Sequence, residues 1–413
     1  MNRTLVDLLD DSFARYGQRT AVRTLRKSGA AAEMRYEPIS YNELARQRDR
    51  VATGFTKLGL RKGDRVGILT DGGLEPLLVF LAADKCGLCA VPLCTKSPAE
   101  LLIHGINHSS LGLLVADRTG YEQYLRVDEF LENAPRVVLT GDEQEGQLTW
   151  SQLTNGGEAG QTPTVEVLPD DDSKILYTSG SSGLPKGVVQ THANIVANLQ
   201  EVWDVISPRE VLRFFKSAPD YHAMGILNIY YPLAKGWELD MARSPDRVLS
   251  DIRLSEPQGL LTVPLVLDKV YGNVRKEINA GGLKASLIAR AVVGKQRLAR
   301  RQGSVVDRMF HNLIGSKVIE KIKSQLASKV GRNLELLVVG SAKADPEALD
   351  FFQEVLDITA FEGYGVTECA PLVAANHLGG RKTGTVGRPL IRVKLVDDSG
   401  AIIGSGDPQK GAH

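Results

Sequence analysis

Lys174-Ile-Leu-Tyr-Thr-Ser-Gly-Ser-Ser-Gly-Leu-Pro-Lys-Gly-Val-Val-Gln-Thr-His-Ala-Asn-Ile-Val-Ala-Asn198 is the stretch on which the reading of this chain turns. An apolar run, Ile175 to Tyr177, leads into Thr178-Ser179-Gly180-Ser181-Ser182-Gly183, and the β-prone pair Val188-Val189 leaves it. The pattern predicts two strands joined by a loop. Gly180 and Gly183 permit positive φ and close backbone approach, so successive N–H groups can converge on an anion, and the hydroxyls of Thr178, Ser179, Ser181 and Ser182 add further donors. Lys186 supplies a mobile point charge. A solvated Gly/Ser turn has no need of Pro185-Lys186-Gly187 in the same run. The common NTPase loop has Gly directly before its Lys, Ser or Thr directly after it, and then a helix. Here Pro and Gly flank the Lys and a strand follows, so this is a phosphate loop of another kind.

At 413 residues the chain exceeds one small core and is expected to hold two or three subdomains. Its 43% hydrophobic and 24% charged residues are those of an ordinary globular protein. The net charge of +1 gives no global pull toward nucleic acid or anionic lipid, so no nucleic-acid partner is expected and electrostatic targeting has to be local. Acids interrupt the apolar opening, Met1 to Asp11, unlike a secretory or transit peptide. The longest apolar runs, such as Leu77 to Ala83, are too short to span a bilayer, and the expectation is a cytoplasmic protein. Cys86, Cys89 and Cys94 cluster without a fourth ligand and read as reduced core cysteines.

Ser40 to Leu44 predicts a helix start, with Val51, Ala52, Phe55 and Leu58 on one face and Gly59 and Gly63 ending it. Arg65 to Leu69 reads as a buried strand, Leu74 to Cys86 as a helix and Ala90 to Leu93 as a strand. This rhythm predicts a parallel sheet with covering helices. Gly141 to Pro169, rich in Gly, Glu, Gln, Thr and Pro, reads as a surface connection between subdomains. Thr191 is placed to cap a helix carrying Ile195, Val196 and Leu199. Further on, Leu260 to Val266 reads as a strand and turn, with a helical segment opening at Leu267. The segment 284–301 carries Lys284, Arg290, Lys295, Arg297, Arg300 and Arg301 and no acid, among Leu287, Ile288, Val292 and Leu298 at near-helical spacing. Such a helix suits a peripheral contact with an anionic bilayer, and equally a basic face left in solvent by a helix packed on the body of the protein.

Leu334 to Ala342 predicts a strand ending in Gly340, Ser341 and Ala342, small enough for a flat ring to lie against the backbone. Pro346 to Val355 then reads as a helix and Ile358 to Phe361 as a strand, which leads to Glu362-Gly-Tyr-Gly-Val-Thr-Glu368. Gly363 and Gly365 free the turn around Tyr364, whose ring can stack on a base. Thr367 offers a hydroxyl, and Glu368 a carboxylate of the kind that holds Mg²⁺ through oxygen. His222, in Ser217 to His222, either faces a substrate or fills a turn as a satisfied imidazole.

The hydroxyl-rich loop with Lys186, the run Glu362 to Glu368, and Gly384-Thr-Val-Gly-Arg-Pro389 together resemble the adenylate-forming (AMP-binding) superfamily. Within it, the Pro264 turn, Asp268-Lys-Val-Tyr271 and the long basic segment are similar to long-chain fatty acyl-CoA ligases. The resemblance implies an α/β fold of two stacked mixed- or parallel-sheet subdomains with covering helices, 1–170 and 171–370. It also implies the start of a third β subdomain, 371–413, and no C-terminal lid domain. It implies ATP phosphates at Thr178, Ser179, Gly180, Ser181, Ser182, Gly183 and Lys186. The rest of the nucleotide would lie at Gly340, Ser341, Ala342, Glu362, Gly363, Tyr364, Gly365 and Thr367, with Mg²⁺ at Glu368 and Thr178. Lys186, Thr367, Glu368 and His222 are the implied catalytic group.

The implied reaction is ATP-dependent activation of a medium- or long-chain fatty acid as acyl-adenylate, followed by thioester formation with coenzyme A. Members of the family continue into a Thr-Gly-Asp block and a mobile domain carrying a catalytic Lys, which neither Asp407 nor Lys410 matches by position. The expectation is therefore a C-terminally shortened ligase of weakened activity, with a partner chain as one source of the lid. The alternatives are an acyl-adenylate former serving a carrier protein, and a lidless, non-catalytic protein that binds nucleotide or acyl groups.

Overall fold

The computed structural model describes residues 3–28, 33–141, 147–155, 165–178, 183–206, 212–377, 382 and 384–406. The chain forms two units, one from Met1–Gln200, Lys216–Val248 and Val366–Pro371, the other from Glu201–Phe215, Leu249–Gly365 and Leu372–His413.

The first unit is built on a seven-stranded sheet in the spatial order Leu148–Thr149, Arg136–Leu139, Leu113–Ala116, Arg65–Leu69, Cys89–Pro92, Asp172–Thr178, Lys186–Thr191. All neighbours run parallel except the last pair, which is an antiparallel hairpin. Apart from Arg65 at the start of its strand, the central strands are apolar and buried, as strands covered on both faces must be. Helix Tyr41–Lys57 starts where Ser40 accepts the Glu43 N–H, and it buries Val51, Ala52 and Phe55 as its spacing predicts. Helix Leu74–Cys86 is buried almost all round, which is why its sequence shows no polar stripe. Cys86 and Cys89 are free and buried, and burial pushes their thiols up to about 11 and about 12. The unit also holds the antiparallel strands Thr20–Ser28 and Glu33–Ser40, with Glu238–Met241 parallel to the former.

Two expectations need correction here. The subdomain change expected at 170/171 falls inside one sheet, because Lys174 pairs with Ala90 and makes the hairpin Asp172–Thr191 the edge of the N-terminal sheet. The stretch read as a surface connection contains strand Leu148–Thr149 and helix Trp150–Asn155. Leu153 is buried so tightly against helix Tyr41–Lys57 that a Cβ on Gly54 would stand 2.3 Å from its carbonyl oxygen. Leu148, Trp150 and Leu153 in a polar run, with only Leu153 of the three buried, gave too faint a periodic signal to reveal that packing.

In the second unit, strands Arg213–Lys216, Gly259–Thr262, Leu336–Val339 and Thr359–Gly365 run parallel in that order, and Leu372–Ala375 and Arg388–Pro389 extend the sheet antiparallel. Between Gly259–Thr262 and Leu336–Val339 the chain makes helices Pro264–Asn279 and Gly282–Ala299, then a helical run from Val305 to Val330. Pro264 stands at the first turn of its helix, three residues ahead of the predicted opening, where its fixed φ is suited to helix entry. Helix Gly282–Ala299 turns Ile288 and Val292 inward, and Lys295 pairs with Asp357 at 3.0 Å. Just past its end Arg300 reaches Asp350 and Glu354. This is the packed arrangement of the two read from its sequence. The C-terminal strands Val393–Val396 and Ile402–Gly406 pair as a two-stranded ribbon.

Candidate active site

The hairpin of the first unit positions the loop by register. Tyr177 faces Gly187 and Thr178 faces Lys186, so the loop leaves and rejoins the sheet between directly paired residues. Ser179, Gly180, Ser181 and Ser182 lie outside the described residues. Gly183, at φ +116°, takes a conformation that favours glycine.

Both ends of the hairpin are held by one helix, Ala99–Ser109. His104 Nε2 lies 2.9 Å from the Pro185 carbonyl oxygen, which can only accept, so this nitrogen carries the proton. His108 Nδ1 lies 2.9 Å from the Tyr177 hydroxyl, which also donates to Gly105 O at 3.2 Å. The two imidazoles, one helical turn apart, have centroids separated by 5.1 Å, and Tyr177 stands edge-on to both. Gly187 is confined by this cluster, since a Cβ there would lie 3.1 Å from Ile175 Cγ2 and 3.4 Å from His108 Cε1.

The turn Thr367–Cys369 belongs to this same unit. Gln190 Nε2 donates to Thr367 O at 2.7 Å, and Asn198 Nδ2 donates to Cys369 O at 3.2 Å. Both amide side chains are buried. Side chains two and four residues apart on a strand share a face, so Lys186, Val188 and Gln190 project to the side on which Gln190 holds the turn. Four residues of strand span about 13 Å, a gap that the long Lys186 side chain narrows. Sequence reading brought Lys186 and Thr367–Glu368 together only through the resemblance, and the residues that tie the hairpin strand and its following helix to the turn, Gln190 and Asn198, were missed. Their one signal was a polar residue on a strand and another on a helix, each inside an otherwise buried pattern.

Lys186 and Glu368 are exposed, and among the described residues neither has an ion pair or side-chain hydrogen bond. No cluster of three or more His, Cys, Asp or Glu able to hold a metal occurs among the described residues. A lone free carboxylate such as Glu368 is the kind of donor that Mg²⁺ takes, since that ion binds one or two protein carboxylates and keeps water in the rest of its shell. Thr178 stands at the mouth of the same hairpin.

His222 lies elsewhere in this unit, exposed at the N-cap of helix Ala223–Lys235 with its ring 4.6 Å from that of Tyr221. Among the described residues no hydrogen bond joins it to Lys186, Thr367 or Glu368. The turn before it is tight, because a Cβ on Gly225 would stand 1.9 Å from Pro219 O.

In the second unit, Gly340, Ser341 and Ala342 follow strand Leu336–Val339, and Gly363, Tyr364 and Gly365 end the neighbouring strand, in which Glu362 pairs with Val339. The two sets thus emerge together at the carboxyl ends of adjacent parallel strands, where α/β sheets take ligands. Gly340 N–H donates to Thr262 O at 3.1 Å, and Ser341 has φ +73°. Tyr364 is half-exposed. The Glu362 carboxylate is buried and accepts the Ala344 N–H at 2.9 Å, so it pins the loop that carries Ser341 and Ala342.

A family model described as AMP-binding enzyme matches residues 9–411. The chain is 27% identical over 386 residues to long chain acyl-CoA synthetase 6, peroxisomal, of Arabidopsis thaliana, covering 88% of this chain and 52% of the relative. It is 24% identical over 410 residues to fatty acyl-CoA synthetase B of Dictyostelium discoideum, covering 95% and 60%. The chain therefore spans a little over half the length of these relatives. Among solved structures, its fold is similar to that of an anthranilate CoA ligase in complex with anthranoyl-AMP, with a TM-score of 0.74, 19% identity, and 97% and 68% of the two chains covered. A long-chain-fatty-acid-CoA ligase from Archaeoglobus fulgidus gives a TM-score of 0.73, 18% identity, and 97% and 72% coverage. With a match over nearly its whole length, the chain belongs to the AMP-binding enzyme family.

Proposed function

We propose that this chain carries the adenylating machinery of a fatty acyl-CoA ligase. The carboxylate oxygen of a medium- or long-chain fatty acid attacks the α-phosphorus of ATP, the bond to the bridging oxygen breaks, and pyrophosphate leaves. The thiol of coenzyme A then attacks the acyl carbonyl and AMP leaves. The observation that carries this reading is the hydrogen bond from Gln190 to the Thr367 carbonyl, which seats the Thr367–Glu368 turn against the hairpin strand that begins at Lys186.

In this reading Lys186 neutralises charge on the outgoing phosphates and Thr367 donates to the α-phosphate, so that preorganised donors meet charge as it develops. Glu368 would hold Mg²⁺, which would neutralise the negative charge that develops on the phosphates. The substrate class is supported by the chain's similarity to long-chain and fatty acyl-CoA synthetases from several organisms.

The test is thermal denaturation with and without ATP and Mg²⁺, joined to pyrophosphate release over a panel of carboxylates. Ligand at a hundred times its Kd stabilises by about 2.7 kcal/mol. That rise is expected in the native chain and is lost in Lys186→Ala and Glu368→Gln. An undiminished rise in both variants removes these residues from the site, and a preference for acetate or benzoate over alkyl chains overturns the substrate class.

A further inference from the structure

Between residues 281 and 330 the second unit concentrates eleven lysines and arginines against two acids, Asp307 and Glu320. That segment carries +9 in a chain whose total is +1, so the remaining 363 residues sum to −8. The positive charge is local, and so is an exposed apolar surface.

Helix Gly282–Ala299 buries Ala285, Ile288, Ala291 and Val292 against the protein and leaves Leu283 and Val293 exposed. The helical run after it exposes a whole apolar stripe: Val305 is 71% exposed, Val306 58%, Met309 59% and Leu313 69%. Positions 305, 309 and 313 are four residues apart and share one side of the helical run. The start of that run is well defined, because Ser304 and Asp307 form a reciprocal capping box, so the stripe is held on a fixed helix. Its flanks are cationic. A hydrogen bond from Ser304 and the nearby charges of Arg297 and Arg290 hold the Asp307 carboxyl below its usual range, and Arg290 lies over the Phe310 ring at 4.7 Å. Arg297, Arg301 and Lys317 are exposed, with no ion pair among the described residues. Among the described residues no helix is long and apolar enough to cross a membrane.

A helix face with bulky apolar side chains, cationic flanks and almost no acid has the composition of an interfacial helix. A protein partner would leave so one-sided a charge without specific pairing, whereas lipid headgroups present phosphates everywhere along the face. We propose that the helical run from Val305 lies on an anionic bilayer, with Val305, Met309 and Leu313 in the headgroup–acyl boundary and Arg297, Arg301 and Lys317 on lipid phosphates. The docking face is thus the helix after the basic one read from the sequence, and the basic helix supplies flanking charge. This assignment adds a partner to the proposed function and does not depend on the phosphate site.

The test is co-sedimentation of the full chain with vesicles of phosphatidylcholine alone and of phosphatidylcholine with phosphatidylglycerol. Binding to the anionic vesicles is expected at low salt and weakens as salt rises. Val305→Ser/Met309→Ser/Leu313→Ser, all at exposed positions, is expected to lower the partition coefficient at least about tenfold. Arg297→Glu/Arg301→Glu should lower it as well and flatten the salt dependence, and both variants should keep the native melting temperature and its response to ATP. The proposal is overturned if anionic vesicles do not sediment the native chain, or if the triple serine variant binds them as well as the native chain. It is equally overturned if the native chain is a dimer in solution that this variant dissociates, because the stripe would then be covered by a second copy.

Discussion

The buried ion pair on the hairpin strand Asp172–Thr178 makes a quantitative prediction. Lys174 and Asp84 are fully buried, with Lys174 Nζ 2.6 Å from Asp84 Oδ1. Ser173 Oγ donates to the same oxygen at 2.8 Å and accepts from Lys174 Nζ at 2.8 Å, while the Tyr230 hydroxyl donates to Asp84 Oδ2. The ammonium also lies over the rings of Tyr230 at 5.2 Å and Phe80 at 5.6 Å. Lys174 is on the strand that leads to the loop, directly opposite Gln190. Asp84→Ala strands an ammonium in an apolar interior, which costs about 3–5 kcal/mol. At roughly 2–4 °C per kcal/mol for a domain of this size, the melting temperature should fall by roughly 6–20 °C. Lys174→Met leaves a carboxylate that keeps two hydroxyl donors, so its cost should lie at or below the lower end of that range. The double variant Asp84→Leu/Lys174→Met removes both charges and should recover most of the loss, because a buried pair repays its own desolvation only narrowly. The assay is a double-mutant cycle by urea denaturation near pH 7.5. If Asp84→Ala costs less than about 1 kcal/mol, or if the two single losses simply add in the double variant, the pair does not act as described.

His192 is fully buried, with the Leu5 N–H directed at Nδ1 at 3.4 Å and Nε2 without a partner among the described residues. Burial holds its pKa below the usual 6.5, so the unfolded chain binds the proton more readily. Stability is then full above about pH 6.5 and falls as the pH drops toward the folded value. His192→Asn should flatten that acid limb, read as melting temperature against pH between about 5 and 7.5. His104→Leu removes the donor to Pro185 O, a neutral hydrogen bond worth about 0.5–1.5 kcal/mol, so ATP should bind roughly 2- to 10-fold more weakly, while His104→Gln, which keeps a donor, should bind ATP nearly as the native chain does. A melting temperature lowered equally in both variants, with unchanged ATP affinity, would make His104 a packing residue only.

Much of the local structure was legible before the fold was seen. Thr191 caps its helix as its residue type predicts, exchanging hydrogen bonds with Asn194. Helix Leu74–Cys86 falls at its predicted bounds, because a long apolar run between glycines leaves little choice. The hairpin around the hydroxyl loop was likewise predicted from β-prone runs on either side of two glycines. The strand and helix at Leu148–Asn155 escaped notice because only Leu153 inserts into the core. The exposed stripe at Val305 to Leu313 escaped notice because apolar residues on a helix give the same periodicity whether they face a core or solvent.

By itself the sequence determined the elements and the residue types gathered in each motif, since propensity, capping and periodicity act over a few residues. Tertiary structure decided the partnerships. Gln190 meets a carbonyl 177 residues away, His104 one 81 residues away, and Lys174 a carboxylate 90 residues away. None of these contacts leaves a periodic trace, because each is a single polar atom satisfied by a distant partner. A lysine inside a strand reads in sequence as solvent-facing, and only the arrival of Asp84 from helix Leu74–Cys86 makes its burial affordable.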